Sequence, residues 1–263
     1  MSETTPLDTA HAAMEAAPED ESARLRFYDR LAESELFLLL QSEAKGDQIT
    51  PEVFDLSDQG FVLAFDRETR LTEFTGRASS YAALSGRTIC SMLAPNGMGL
   101  GLNLEVAPSS ILLPPSAVMW LADTLQNRPE EVEQVVESLF SPKGLPDHLL
   151  TALDAKLATA MGLAASAYLV GVKYTSGTQG HMLGFVDPVP GAEQALASAV
   201  SEALTFSGLE AAMLDVAFFA ASDAMAPQMA KHGLRFDLPQ PQRPGNAQPG
   251  APGMNPDVPP RLK

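Results

Sequence analysis

Apolar and polar positions follow two rhythms along this chain, and the switches between them outline its elements. Thr5-Pro6-Leu7-Asp8 opens the first helix with a capping hydroxyl, a proline suited to the first helical position and an acid at the positive end of the dipole. Leu7, Ala10 and Met14 keep helical spacing up to Pro18. A second helix is expected over residues 19–32, where Leu25, Tyr28 and Ala32 set the apolar side. The run Leu36-Phe37-Leu38-Leu39-Leu40 is short and unbroken, as in a strand covered on both faces. Residues 53–56 and 61–65 read as two more strands, joined by a turn at Ser57-Asp58-Gln59-Gly60. Short helices over 66–74 and 89–93 come next, then strands over 101–106 and 110–113. Pro114-Pro115-Ser116 opens a helix carrying Val118, Trp120, Leu121 and Leu125.

Asn127-Arg128-Pro129-Glu130 combines a cap, a proline and acids, and Val132, Val135, Val136, Leu139 and Phe140 follow as an amphipathic stripe. This predicts a connecting helix over 127–144. In the second unit Leu145, Leu149, Leu150, Leu153, Leu157 and Met161 keep helical spacing. Strands are expected over 167–174 and 181–186 around a Ser176-Gly177 turn, a helix over 191–206, a strand over 212–220 and a helix over 223–231. That order suggests a sandwich with one helical layer. From Pro239 onward the Pro/Gly/Gln/Asn composition has almost nothing to bury and reads as a disordered tail. The expected fold class is α/β or α+β. Two mixed helix–sheet domains, 1–126 and 145–238, are joined by the helix over 127–144 and followed by the tail over 239–263.

A length of 263 residues agrees with roughly two domains. The chain carries 33 acidic and 17 basic side chains, a net charge of -16. Residues 1–126 hold 19 acids and 8 bases, residues 127–238 hold 13 and 6, and residues 239–263 hold 1 and 3. Both folded units are therefore acidic and only the tail is basic. Such a surface excludes sequence-independent nucleic-acid binding, which releases counterions through clustered Lys and Arg. It also disfavours docking on anionic membranes. No apolar run approaches the ~18 residues of a membrane span, and residues 1–10 lack the basic and apolar parts of a secretory signal peptide. With a single cysteine, Cys90, no intramolecular disulfide can form, and a cytoplasmic location is expected.

Candidate chemistry is sparse. His11, His148, His181 and His232 are far apart and no Cys/His cluster has zinc spacing, so neither metal nor cofactor is expected. Gly97, Gly99 and Gly101 form a G-x-G-x-G, but Leu102 and a strand-like sequence follow, which favours a turn before a strand over a phosphate cradle. Cys90 is the one nucleophile candidate, with Arg87 near enough in sequence to favour a thiolate. The alternative is a small buried hydrophobe, the commoner role of a free cysteine. Asp215 interrupts the apolar run Met213-Leu214-Asp215-Val216-Ala217-Phe218. Buried it would be a site candidate; on an alternating strand it faces away from Leu214, Val216 and Phe218. His181 could pair with Asp187 or Tyr174, or stand alone at the surface. Glu130, Glu131, Glu133 and Glu137 read as the solvated face of the connecting helix.

The first unit resembles the N-terminal domain of the SseB (enhanced serine sensitivity protein B) family. The resemblance lies in Leu36-Phe37-Leu38-Leu39-Leu40, in Phe61 to Phe65 running into Asp66-Arg67-Glu68, and in Gly101-Leu102-Asn103-Leu104 through Ile111-Leu112-Leu113-Pro114. Leu104 departs from the family's usual proline after that Asn. Residues from 145 to about 238 are similar to the family's C-terminal domain. The resemblance implies a cytoplasmic bacterial protein linked by name to serine tolerance, with no catalytic set to transfer. The expectation is a non-catalytic binding or regulatory protein whose partner is a protein. One alternative is an enzyme using Cys90 in sulfur or amino-acid chemistry. The other is a small-molecule sensor with a ligand between the domains.

Overall fold

The computed structural model describes residues 4–44, 46, 48–56, 59–127, 129, 133–209 and 214–239. The expected tail beyond Pro239 and the acids Glu130 and Glu131 lie outside the described residues. The chain forms two α+β domains, each built on one mixed sheet.

In the first domain α1 (Pro6–Ala16) and α2 (Glu21–Glu33) precede β1 (Glu35–Leu39), β2 (Val53–Leu56) and β3 (Gln59–Phe65). Then come α3 (Glu68–Thr75), β4 (Tyr81–Ser85), α4 (Gly86–Leu93), β5 (Gly99–Leu102), β6 (Ile111–Leu113) and α5 (Pro115–Gln126). The strands lie in the order β4-β1-β3-β5-β6, and β2 pairs with β3 beyond the end of β1. β3 and β5 run parallel; the other pairs are antiparallel. The side-chain period of 2 gives the sheet two cores. Leu36, Leu38, Val62, Ala64, Leu100 and Leu102 face α1, α2, α4 and α5, while Leu39, Leu63 and Phe65 face Leu71 of α3. β1 is thus covered on both faces, as its unbroken apolar run requires.

β4 was absent from the sequence expectation, because Tyr81-Ala82-Ala83-Leu84-Ser85 carries only a weak strand signal. The outer edge of β1 supplies what propensity does not: β4 pairs along all of it, and Tyr81 meets Phe37 edge-to-face at 5.2 Å. The strand expected over 101–106 begins earlier and stops at Leu102, since Asn103 and Glu105 adopt positive φ of 48° and 62°. The glycines before it are structural. Gly97 takes φ +61° in the turn, and side chains at 99 and 101 would collide with the Phe61 ring and with Leu63 and Leu104.

The second domain contains β7 (Val136–Phe140), α6 (Asp147–Thr159), β8 (Ser166–Tyr174), β9 (Gln179–Val186) and α7 (Glu193–Phe206). It ends with β10 (Asp215–Phe219), α8 (Met225–His232) and β11 (Leu234–Phe236). Strand order is β10-β9-β8-β11, and β7 shares with β11 one edge of the long β8. The connecting helix over 127–144 is therefore corrected: residues 136–140 are a strand. The stripe that suited a helix also suits an edge strand, and the open edge of β8 decides between them. Leu139 enters the core, and the Phe140 ring covers Gly171, where a side chain would collide with it. The single helical layer is corrected too. α6 and α7 cover one face through Leu149, Leu153, Leu196 and Val200, and α8 covers the other through Ala226 and Met229.

Candidate functional site

Two networks of buried charge organise the molecule. The first lies inside the N-terminal domain and grows from the cap of α1. Thr5 accepts from the Asp8 amide and Asp8 accepts from the Thr5 amide, closing a capping box. The Asp8 carboxylate also receives Arg70 of α3, with Nη2 donating to Oδ2 at 2.6 Å and Nη1 to Oδ1 at 3.1 Å. Arg70 Nη1 donates to Asp66 Oδ1 at 2.7 Å, and Thr5 Oγ1 donates to Asp66 Oδ2 at 2.6 Å. Ser109 Oγ donates to Asp8 Oδ1, Asn103 Nδ2 donates to Ser109, and the Asp66 amide donates to Asn103 Oδ1. Burial pushes the Asp8 carboxyl up, but the hydrogen bonds from Arg70, Ser109 and Thr5 outweigh it and hold the group well below the carboxylate range. The ring ties α1, α3 and the turn after β5 together. Asn103 earns its positive φ here, because its amide reaches both Asp66 and Ser109.

The second network joins the domains. Lys156, buried on α6, places Nζ 2.7 Å from Asp29 Oδ1, 2.7 Å from Glu33 Oε1 and 3.0 Å from Glu202 Oε2. Asp29 and Glu33 are neighbours on α2, and Glu202 comes from α7. Arg87 of α4 grips Glu202 with two nitrogens at 2.7 and 2.8 Å and reaches Glu33 at 3.1 Å. Burial opposes the charge on Lys156, but Asp29, Glu33 and Glu202 together raise its pKa. Burial likewise pushes Glu202 up, and Arg87 and Lys156 outweigh it, leaving the carboxyl lowered. Beside the network, Phe206 of α7 inserts into the core of the first domain.

The sequence-predicted residues fall outside these networks. Cys90 is fully buried on α4 in the first core, and burial pushes its thiol up to about 12. Arg87 does not assist it; its guanidinium is committed to Glu202 and Glu33 across the interface. Asp215 lies opposite Leu214, Val216 and Phe218, as strand parity requires, and accepts a hydrogen bond from Tyr174 Oη at 2.5 Å. Burial and that carboxylate raise the Tyr174 pKa. His181 pairs with neither Asp187 nor Tyr174: its Nε2 lies 3.0 Å from the Lys143 carbonyl oxygen, while Asp187 accepts from the Ala221 amide. Asp215 and His181 lie on the paired strands β10 and β9, with Asp215 opposite Met182, and Cys90 lies apart from both in the first domain's core.

Arg70 and Lys156 were missed by sequence reasoning, and for Lys156 a signal existed. It sits three residues after Leu153 on the same stripe as Leu149 and Leu157, so a lysine occupies a core position. Among the described residues, no three His, Cys, Asp or Glu side chains gather to hold a metal ion. No helix among them is long and apolar enough to cross a membrane. Two hollows of about 570 Å³ border α2. One opens beside Glu33, Glu35, Asp66 and Glu68; the other lies between α1 and α2 of the first domain and α6 and α7 of the second.

Sheet topology and interlocked charges define a two-domain α+β protein whose domains are pinned by a shared cation. Its first domain is similar to a known family: the model described as SseB protein N-terminal domain matches residues 10–120. The match spans α1 to α5 almost in full and ends before the second domain. No curated protein and no solved structure matches the chain.

Proposed function

We propose that this is a non-catalytic binding protein of SseB type, its second domain of the family's C-terminal kind, acting through contact with another protein. The observation that carries the reading is β2. Among the described residues no strand pairs with its outer edge, and Val53, Phe54 and Leu56 are 41%, 38% and 53% exposed. Edge strands of soluble proteins are ordinarily blunted by lysine, proline or a covering element. β2 itself holds three exposed apolar residues and one acid, Asp55. Such an edge suits an extended segment that adds a strand, with main-chain hydrogen bonds giving affinity and alternate side chains giving specificity. The occupant is a basic, extended segment of a partner protein, because the surrounding domain carries 19 acids against 8 bases. The buried charges favour the same reading, since Asp8, Asp66, Arg70, Arg87, Lys156 and Glu202 are all spent on one another.

The test places a photo-crosslinking amino acid at Phe54 in the full chain, with a second probe at exposed Glu15 on α1 as control. The expected result is an adduct from position 54 alone that maps to an extended basic segment, weakens with added salt and disappears with Leu56→Lys. Equal adducts from both positions, or adducts indifferent to Leu56→Lys, would overturn the assignment.

A further inference from the structure

We propose that the cleft between the two domains is a binding site for a small amphiphilic monocarboxylate, a compact apolar body ending in one carboxylate. This site is separate from β2 and stands or falls independently of it. Its volume of about 570 Å³ lies within the usual 300–1,000 Å³ of small-molecule sites, and domain interfaces are where such sites concentrate.

The walls carry many alanines, with Ala10 and Ala13 from α1, Ala23 from α2, and Ala152 and Ala155 from α6, beside the hydroxyls of Thr9 and Thr151. Phe206 adds an aromatic surface at one side, anchored in the first core. The domains are held by the Lys156 network and by Phe206 in the first core, and the methyl-sized side chains beside them leave the gap open. An apolar body that fills it removes the surface of Ala10, Ala13, Ala152 and Ala155 from water.

The ionisable groups at the cleft are Arg26, Asp29, Arg30 and His148. Asp29 lies 2.7 Å from the Lys156 ammonium, which it shares with Glu33 and Glu202. Arg26 reaches only the exposed Asp20, at 3.6 Å. Arg30, on the α2 turn after Arg26, forms no ion pair among the described residues. The uncommitted charge of the cleft is therefore cationic, within a chain of net charge -16. A guanidinium is suited to grip a carboxylate with two nitrogens. The strongly negative field of the whole chain disfavours a dianion such as a phosphate monoester.

Isothermal titration of the full chain with octanoate tests the assignment, with octanol, octylammonium and leucine as comparisons. Octanoate is expected to bind saturably at one site per chain and about tenfold or more tighter than each comparison, the worth of one charge-assisted pair. Arg30→Gln is expected to weaken octanoate about tenfold and leave octanol unchanged. Ala155→Phe, an exposed position, fills the cleft and abolishes binding while circular dichroism and the thermal midpoint stay at wild-type values. Thr151→Leu repeats the filling on the same helix should Ala155→Phe disturb the fold. Equal binding of octanol or octylammonium, titration without saturation, or undiminished binding in a folded cleft-filling variant would each overturn the proposal.

Discussion

Lys156→Met is the sharpest probe of how the two domains are held. It removes the ammonium while keeping the stem that packs along α6, so what is lost is charge. Three carboxylates meet that ammonium at 2.7 to 3.0 Å. At an effective dielectric near 20 each contact contributes roughly 5–6 kcal/mol of attraction before desolvation. Desolvating the ammonium offsets several kcal/mol of this, and mutual repulsion among the carboxylates offsets more. Removing one partner from a buried cluster typically costs about 3–5 kcal/mol. Here Asp29 and Glu33 keep 31% and 29% of their side-chain surface exposed and can rehydrate. The expected loss is therefore about 2–4 kcal/mol, carried mainly by Glu202, left with Arg87 alone.

Urea denaturation with two probes reads this loss where it falls. Trp120, the only tryptophan, reports the first domain alone, and far-UV circular dichroism reports both. Domains coupled through the network unfold together in the wild type, and the variant separates the two transitions. With slopes of about 1–3 kcal/mol per molar urea, the lower transition moves down by roughly 1–2 M. Adding Glu202→Gln is expected to cost less than the sum of the two single losses, because the two positions share one network. Coincident transitions in Lys156→Met with an unchanged midpoint would refute the claim that this cation joins the domains.

Arg70→Met strands the buried Asp8 and Asp66 carboxylates and is expected to lower the Trp120 urea transition by about 3–5 kcal/mol. Acid titration should show the same dependence, because Asp8 and Glu202 are held below their ordinary pKa values in the folded state. Their stabilisation is complete above pH ~5 and is lost as pH falls through the folded values, so the thermal midpoint drops on acidification. Lys156 works in the opposite sense: its raised pKa stabilises below the ordinary lysine value of ~10.4 and is lost as pH rises through the folded one. Cys90 should resist thiol reagents at pH 8 until urea unfolds the first domain, after which one equivalent reacts; rapid native labelling would contradict its burial. Gly86→Ala would put a methyl 1.9 Å from the Leu31 carbonyl oxygen, and a loss of about 2–3 kcal/mol in urea denaturation is expected where α4 meets the end of α2.

Local signals carried most of the fold. The Thr5/Asp8 cap, the run at Leu36 to Leu40 and the stripe of α7 each reflect interactions within one element or with one face of a sheet, so their meaning survives without knowledge of the rest. The segment 136–140 does not have this property. Val136, Leu139 and Phe140 keep helical spacing; in the strand a bulge between Val136 and Ser138 puts Val136 on the face of Leu139, and only the edge of β8, more than thirty residues downstream, settles it. β4 and β11 are of the same kind, short strands whose warrant is a partner's unpaired edge.

The charge networks sit further still from what periodicity can report. Lys156 was visible as an anomaly, a lysine in line with Leu149, Leu153 and Leu157, and an anomaly of that sort announces that a partner exists without saying which. Asp29, Glu33 and Glu202 gave no such sign. Each reads alone as an ordinary acid on an amphipathic helix, and in an isolated first domain Asp29 and Glu33 would be without Lys156. Docking α2 against α6 and α7 turns three separate acids into the surroundings of one ammonium. Polar groups buried in this way fix relative placement more strictly than apolar contact, because a shifted α6 would leave the ammonium unpaired and Glu202 with Arg87 alone. The cleft follows from that fixed placement: the network clamps the helices on one side, and the facing alanines leave room on the other.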